Sequence, residues 1–81
     1  MVSDALTPTQ TLDCRGATYP VPILKAKRAL DQLRAGQVLK VQATDRNTKP
    51  DLQVWAEKAN ADLLGISDDA DGSFSFLLRK R

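Results

Sequence analysis

Tyr19 stands immediately before the sequence Pro20-Val21-Pro22, and Lys25 follows three residues after the second proline. Proline lacks an N–H and is tolerated in the first turn of a helix, so these prolines predict that a helix begins here. The free N–H groups and the dipole at a helix N-terminus stabilise an anion, and a lysine ammonium nearby adds to that field. A tyrosine phenol, whose reference pKa is about 10, is not that anion at neutral pH. The position therefore suits a reactive group that Tyr19 does not supply.

Cys14 is the only cysteine of the chain, which has no histidine. These counts exclude an intramolecular disulfide and a cysteine/histidine metal cluster, so we expect no metal and no other cofactor. Cys14 follows Leu12 by two residues on a predicted strand, and the two side chains should therefore share a face. We expect Cys14 to be a small buried side chain. A relocated nucleophile is the alternative, and it requires an exposed thiol of low pKa.

The first half of the chain predicts a strand, a helix and a second strand. Thr11–Cys14 is the first strand and ends before Gly16, and residues 37–44, which alternate in polarity, are the second. The helix between them carries one apolar face at 3.6-residue spacing. That face comprises Ile23, Ala26, Ala29, Leu30 and Leu33. Gly36 is expected to end the helix.

The second half predicts another helix and a β-hairpin. Thr48 is the expected N-cap of the helix, with Pro50 in its first turn and Asp51 completing a variant capping box. Trp55 is expected to be mostly buried on the apolar face of this helix, against the sheet. Asn60 can take the left-handed conformation that closes a helix. A tight turn within residues 68–72 then joins the two strands of the hairpin.

The resulting order, β-α-β-α-β-β, predicts a two-layer α/β sandwich with a mixed four-stranded sheet. Right-handed crossovers place both helices on one face of that sheet, and the alternating polarity of the strands predicts that the other face is partly wet. Residues 1–9 are expected to be a flexible tail, and residues 10–81 a single domain. A monomer is expected.

Composition favours a soluble globular protein. Of the 81 residues, 42% are hydrophobic and 27% charged, and the net charge is +2. We expect a cytoplasmic protein without a membrane segment, because no apolar run resembles a signal peptide or a bilayer span. The basic C-terminus, residues 79–81, leaves a nucleic-acid interaction as a minor alternative to a solvated tail.

The segment Leu12 to Lys27 resembles the signature of the TusA family of small sulfur-carrier proteins. That signature is L-D-x-x-G followed by C-P-x-P, with a lysine three residues after the second proline. The matching residues are Leu12, Asp13, Gly16, Pro20, Pro22 and Lys25. The resemblance extends over Thr11 to Lys80. It implies the α/β fold described above and a sulfurtransferase-like role in intracellular sulfur relay, with a persulfide donor and a downstream acceptor as protein partners.

The sequence departs from the family signature at one central position. Tyr19 occupies the position of the sulfur-accepting cysteine of the family. A phenol forms no stable, exchangeable bond to sulfur, so persulfide transfer at this position is expected to be absent. Whether the chain is an enzyme therefore stays open. The alternative is a non-catalytic adaptor or regulator that binds sulfur-relay partners. The candidate motif or partner-binding residues are Asp13, Arg15, Gly16, Pro20, Pro22 and Lys25, and both Asp13 and Asp45 are expected to cap loops or helices.

Overall fold

The fold has two layers, and the computed structural model describes it over residues 8–50 and 52–81. Its elements are β1 (Gln10–Cys14), α1 (Val21–Gln32), β2 (Val38–Ala43), a short 3₁₀ helix (Arg46–Thr48), α2 (Leu52–Lys58), β3 (Ala61–Asp68) and β4 (Phe74–Lys80). This order confirms the predicted β-α-β-α-β-β arrangement. Residues 1–7 of the predicted tail lie outside the described residues. Thr9, its last residue, donates its N–H to the carbonyl of Val38 at 2.7 Å.

The four strands form one mixed sheet in the order β1-β2-β4-β3. β1 and β2 are parallel, whereas β4 runs antiparallel to both β2 and β3. In this register Leu12 lies beside Val41, and Val41 lies beside Phe76. Apolar side chains of three strands therefore form a continuous row.

Both helices cover the same face of the sheet and share one hydrophobic core. The buried members of that core are Cys14, Ala26, Ala29, Leu30, Leu39, Val41, Ala43, Leu52, Ala56, Ala61, Phe74, Phe76 and Leu78. Lys40, Gln42 and Leu77 alternate with core residues and are half-buried, so the opposite face is partly wet, as predicted. No helix in the described ranges is long and apolar enough to cross a bilayer.

The end of α1 differs from the prediction. The helix stops at Gln32, because Leu33 takes an extended conformation and donates its N–H to the Leu30 carbonyl. Gly36 does not end the helix. It instead adopts a φ of 90° in the turn before β2, and its N–H bonds to the Lys80 carbonyl at 2.7 Å.

The start of α2 also differs. Thr48 is not the predicted N-cap, because it ends the 3₁₀ helix, and Asp45 caps that helix by accepting the N–H of Asn47. Asp51, the predicted capping partner, lies outside the described residues. At the other end of α2, the φ of 60° at Asn60 confirms the predicted left-handed closure. Trp55 is half-buried and packs against the core.

Candidate functional site

Tyr19 lies in the loop between β1 and α1, and the side chain is 55% exposed. Its backbone N–H donates to Oδ2 of Asp45 at 2.7 Å, and Oδ1 of the same carboxylate accepts the N–H of Asn47 at 3.0 Å. These two hydrogen bonds hold the pKa of Asp45 below its ordinary value, and the bond from Tyr19 has the larger effect. Asp45 therefore ties the start of α1 to the 3₁₀ helix, which confirms its predicted capping role.

The first turn of α1 offers fewer free donors than the sequence predicted. Pro20 and Pro22 have no N–H, and Val21 donates its own to the Thr18 carbonyl at 2.9 Å. Leu24 donates its N–H to the Pro20 carbonyl at 3.0 Å. Within the described residues, Ile23 is therefore the member of that turn whose N–H has no acceptor. The field at position 19 is thus built from one free N–H and the helix dipole, with the Asp45 carboxylate opposing it.

Asp13, Arg15 and Gly16 shape the loop that leads to Tyr19. The Asp13 carboxylate accepts two hydrogen bonds from the Arg15 guanidinium, at 2.9 and 3.0 Å, and one from the Arg15 backbone N–H at 3.0 Å. Gly16 has a φ of 86°, a left-handed conformation that favours glycine. Its N–H donates to Oγ1 of Thr44 at 2.9 Å. These motif residues therefore position the loop.

The Asp13 carboxyl is expected to titrate well below an ordinary aspartate. Hydrogen bonds from Arg15 lower its pKa from 3.8 to about 2. Because the pKa is depressed in the folded state, the stabilisation is present above about pH 4 and is lost as the pH falls towards 2. A carbon-detected NMR titration should show this value, and Asp13→Asn should flatten the pH dependence of thermal unfolding in that window. A carboxyl that titrates near pH 4 would contradict the observed pairing.

The Tyr19 side chain faces α2. It lines a hollow of about 40 Å³ together with Ile23, Thr48, Pro50, Leu52 and Trp55. A second hollow, of about 250 Å³, lies between Tyr19, Val54, Trp55 and Lys58. Val54 borders the second hollow and is 53% exposed. Leu24, which is 64% exposed, borders a third hollow of about 160 Å³ that Trp55 also lines. We call the surface formed by Tyr19, Leu24, Val54 and Trp55 the α1–α2 face.

Thr48 lies at the buried side of the smaller hollow. The residue is 1% exposed, and its hydroxyl has no hydrogen-bond partner among the described residues. A hollow of about 40 Å³ is large enough for a water molecule. The smaller hollow therefore offers a polar group at its base and apolar walls elsewhere.

Lys25 lies on the other flank of α1, away from the hollows that Tyr19 lines. It borders a groove with Gln10, Leu12, Arg28, Ala29 and Gln32. Burial raises the pKa of the Cys14 thiol, and the positive charge of Lys25, which lowers that pKa, only partly offsets the effect of burial. The sequence had suggested that Lys25 lies close to position 19. The structure instead places Lys25 and Tyr19 in different recesses.

Cys14 is expected to react slowly with thiol reagents in the native protein. It is 2% exposed within the core, which confirms the predicted burial, and its raised pKa leaves little thiolate at neutral pH. Labelling with a chromogenic disulfide should be slow in buffer and fast in denaturant. A native rate equal to that of a small free thiol would show that Cys14 is accessible.

Leu24 and Val54 were missed in the sequence. Each is an apolar residue that lies outside the core face of its helix. That position was the sequence signal that could have predicted an exposed apolar surface. The contact of Asp45 with Tyr19 was also missed, because it joins residues 26 positions apart.

The basic C-terminus is largely neutralised by neighbouring carboxylates. Arg79 and Arg81 both pair with Asp62, at 3.3 and 2.9 Å, and Arg81 also reaches Glu57 at 2.9 Å. Lys80 donates to the Leu30 carbonyl at 2.8 Å. The three cations therefore help to attach β4 to its neighbours.

Known proteins resemble this chain over nearly the whole described fold. The model of the family described as "Sulfurtransferase TusA" matches residues 10–80. A putative sulfur carrier protein of Bacillus subtilis, YrkI, is 40% identical over 62 residues, which cover 76% of this chain and 83% of that protein. The sulfur carrier protein TusA of Allochromatium vinosum is 39% identical over 71 residues, which cover 88% of this chain and 92% of that protein.

The fold is also found in a solved structure. The crystal structure of a SirA-like protein from Desulfitobacterium hafniense matches with a TM-score of 0.77 at 26% identity, over 88% of this chain and 96% of that one. Sequence and fold thus agree over the same region, and the chain belongs to the TusA family of sulfur carriers.

Proposed function

We propose that this chain takes part in a sulfur relay by binding relay proteins, without carrying sulfur at position 19. In the transfer chemistry of such a site, a thiolate attacks the outer sulfur of a donor persulfide. A new S–S bond forms, the donor S–S bond breaks, and the donor leaves as a thiolate. The phenol of Tyr19 has no sulfur atom with which to form that bond. The proposal rests above all on this side chain at the start of α1.

Cys14 is a poor substitute for the missing nucleophile. It is 2% exposed, and burial raises its thiol pKa, whereas a sulfur acceptor needs an accessible thiolate. A relocated transfer site therefore has less support than a binding role.

The α1–α2 face is the surface we assign to the relay partners. Three apolar residues there, Tyr19, Leu24 and Val54, are each more than half exposed, and this is the observation that supports binding. Tyrosine is enriched among the residues that contribute most to protein interfaces, because it buries a large area and retains a polar tip. We therefore assign Tyr19 the role of an anchor in a partner pocket.

The proposed partners are a persulfide donor and a downstream acceptor, and the proposed setting is the cytoplasm, where an unpaired thiol such as Cys14 is usual. The proposed working form is the monomer. Nucleic acid is a weaker candidate, because the arginines of the basic C-terminus are paired with Asp62 and Glu57.

Binding to a persulfide-forming sulfurtransferase, measured by calorimetry, tests the proposal. Tyr19→Ala is expected to weaken binding at least tenfold, in the range of an interface hot spot. Ile66→Ala is the matched control, because Ile66 is also an exposed apolar residue, at 43%, but lies on β3. Equal affinities for the two variants would exclude the α1–α2 face as the docking surface.

A further inference from the structure

The groove beside Lys25 lies on the flank of α1 that faces away from Tyr19. It has a volume of about 310 Å³ and runs between β1 and α1. Its lining residues are Gln10, Leu12, Lys25, Arg28, Ala29 and Gln32. We call it the β1–α1 groove. Leu12 and Ala29 supply an apolar floor, and the remaining side chains are amides or cations.

The two cations of this groove have no acidic partner in the described part of the chain. Neither Lys25 nor Arg28 lies within 4.0 Å of a carboxylate there. Lys27, on the same helix, contrasts with them because it pairs with Asp31 at 2.9 Å. The groove therefore presents positive charge that an acidic ligand would complement.

One wall of the groove is formed by β1, which is an edge strand of the sheet over the residues described. β1 is the outermost strand, and over the described residues it pairs with β2 alone. The outer edge of such a strand carries backbone N–H and C=O groups that can pair with another extended chain. A ligand in the groove could therefore bond to the β1 backbone and to the side chains of α1 at once.

We propose that the β1–α1 groove binds an extended acidic segment of a partner protein. The segment adds a strand to the outer edge of β1, and its carboxylates pair with Lys25 and Arg28. Lys25 to Gln32 spans about 10 Å of helix, which matches about three residues of extended chain. An extended peptide is favoured over a nucleic acid, because the groove has no aromatic side chain for base stacking among its lining residues.

NMR of the isotope-labelled full chain tests this with the probe acetyl-Glu-Val-Glu-Val-Glu-amide. Amide shifts are expected along Gln10–Asp13 and along Lys25–Gln32. Lys25→Gln and Arg28→Gln should each weaken binding about three- to fivefold at low salt, as for partly exposed ion pairs. Lys27→Gln is the matched control, with the same charge change on the same helix, and should leave the affinity unchanged.

Two altered probes separate the contributions. The peptide with Gln in place of Glu should bind at least tenfold more weakly, and a peptide N-methylated at alternate residues should not bind, because it cannot complete the strand ladder. If the Gln peptide binds as tightly as the Glu peptide, the proposed ion pairs are wrong. If the N-methylated peptide does so, the proposed strand addition is wrong. If a mixed-sequence oligonucleotide binds more tightly than the acidic peptide, the ligand of the groove is a general polyanion and the proposal of an acidic protein segment is wrong.

The Tyr19→Ala variant distinguishes this inference from the proposed function. It should bind the acidic peptide normally, because Tyr19 lies on the other flank of α1. Peptide-induced shifts centred on Tyr19 and Trp55 would overturn the groove as the site, even if docking of relay partners is found at the α1–α2 face.

Discussion

Replacing Tyr19 with cysteine is expected to give a protein that accepts sulfur from a persulfide donor. The exchange should be made in a Cys14→Ala chain, so that one thiol alone can react. The new side chain would stand at the start of α1, more than half exposed as Tyr19 is. There its thiolate can reach the outer sulfur of the donor, and intact mass spectrometry should detect one added sulfur atom.

The pKa of that new thiol reports on the local field. The α1 dipole and the free N–H of Ile23 favour the thiolate, whereas the Asp45 carboxylate, bonded to the N–H of residue 19, opposes it. We expect the helix contribution to prevail and the pKa to fall below about 8.5. Asp45→Asn should lower the pKa further, because the amide oxygen can still accept the same N–H without the negative charge. The pH dependence of alkylation measures both values.

Tyr19→Ser in the same Cys14→Ala chain is the control and should gain no sulfur. If the Tyr19→Cys thiol titrates like a free cysteine and also gains no sulfur, the site no longer supports transfer chemistry. Membership of the TusA family would then account for the fold and for binding alone.

Leu30→Ala is expected to cost about 3–4 kcal/mol of unfolding free energy. Leu30 is 0% exposed in the shared core, and truncation of such a leucine loses its transfer free energy and leaves a cavity. A domain of this size has only about 5–15 kcal/mol of total stability, so a large part would be lost. Urea unfolding monitored by Trp55 fluorescence measures the change.

Leu24→Ala makes the same chemical change on the same helix and serves as the control. Leu24 is 64% exposed, so its truncation should change the unfolding free energy by no more than about 0.5 kcal/mol. Similar costs at the two positions would mean that the face of α1 assigned to the core is wrong.

The fold could be predicted because its signals are local and repeated. The spacing of Ala26, Ala29 and Leu30 defined the buried face of α1, and the alternation of Phe74 and Phe76 defined that of β4. Both patterns follow from the geometry of a helix or a strand and need no knowledge of distant contacts. The boundaries were less predictable, since Gly36 turns the chain to bond Lys80, which lies on β4.

The candidate site was only partly predictable, because its geometry depends on long-range contacts. The signature located Tyr19 and the loop residues Asp13 and Gly16. It did not show that Asp45 would bond the N–H of Tyr19, since that contact joins distant parts of the chain. Nor did helical spacing show that Lys25 borders β1 while Tyr19 faces α2.

The most direct test of the central claim is the intact mass of this chain, with Tyr19 and Cys14 in place, after incubation with a persulfide donor. We predict no added sulfur, because the phenol at position 19 cannot form the S–S bond and Cys14 is buried. A protein mass increased by one sulfur atom, and restored by a thiol reductant, would contradict the claim that this family member does not carry sulfur itself.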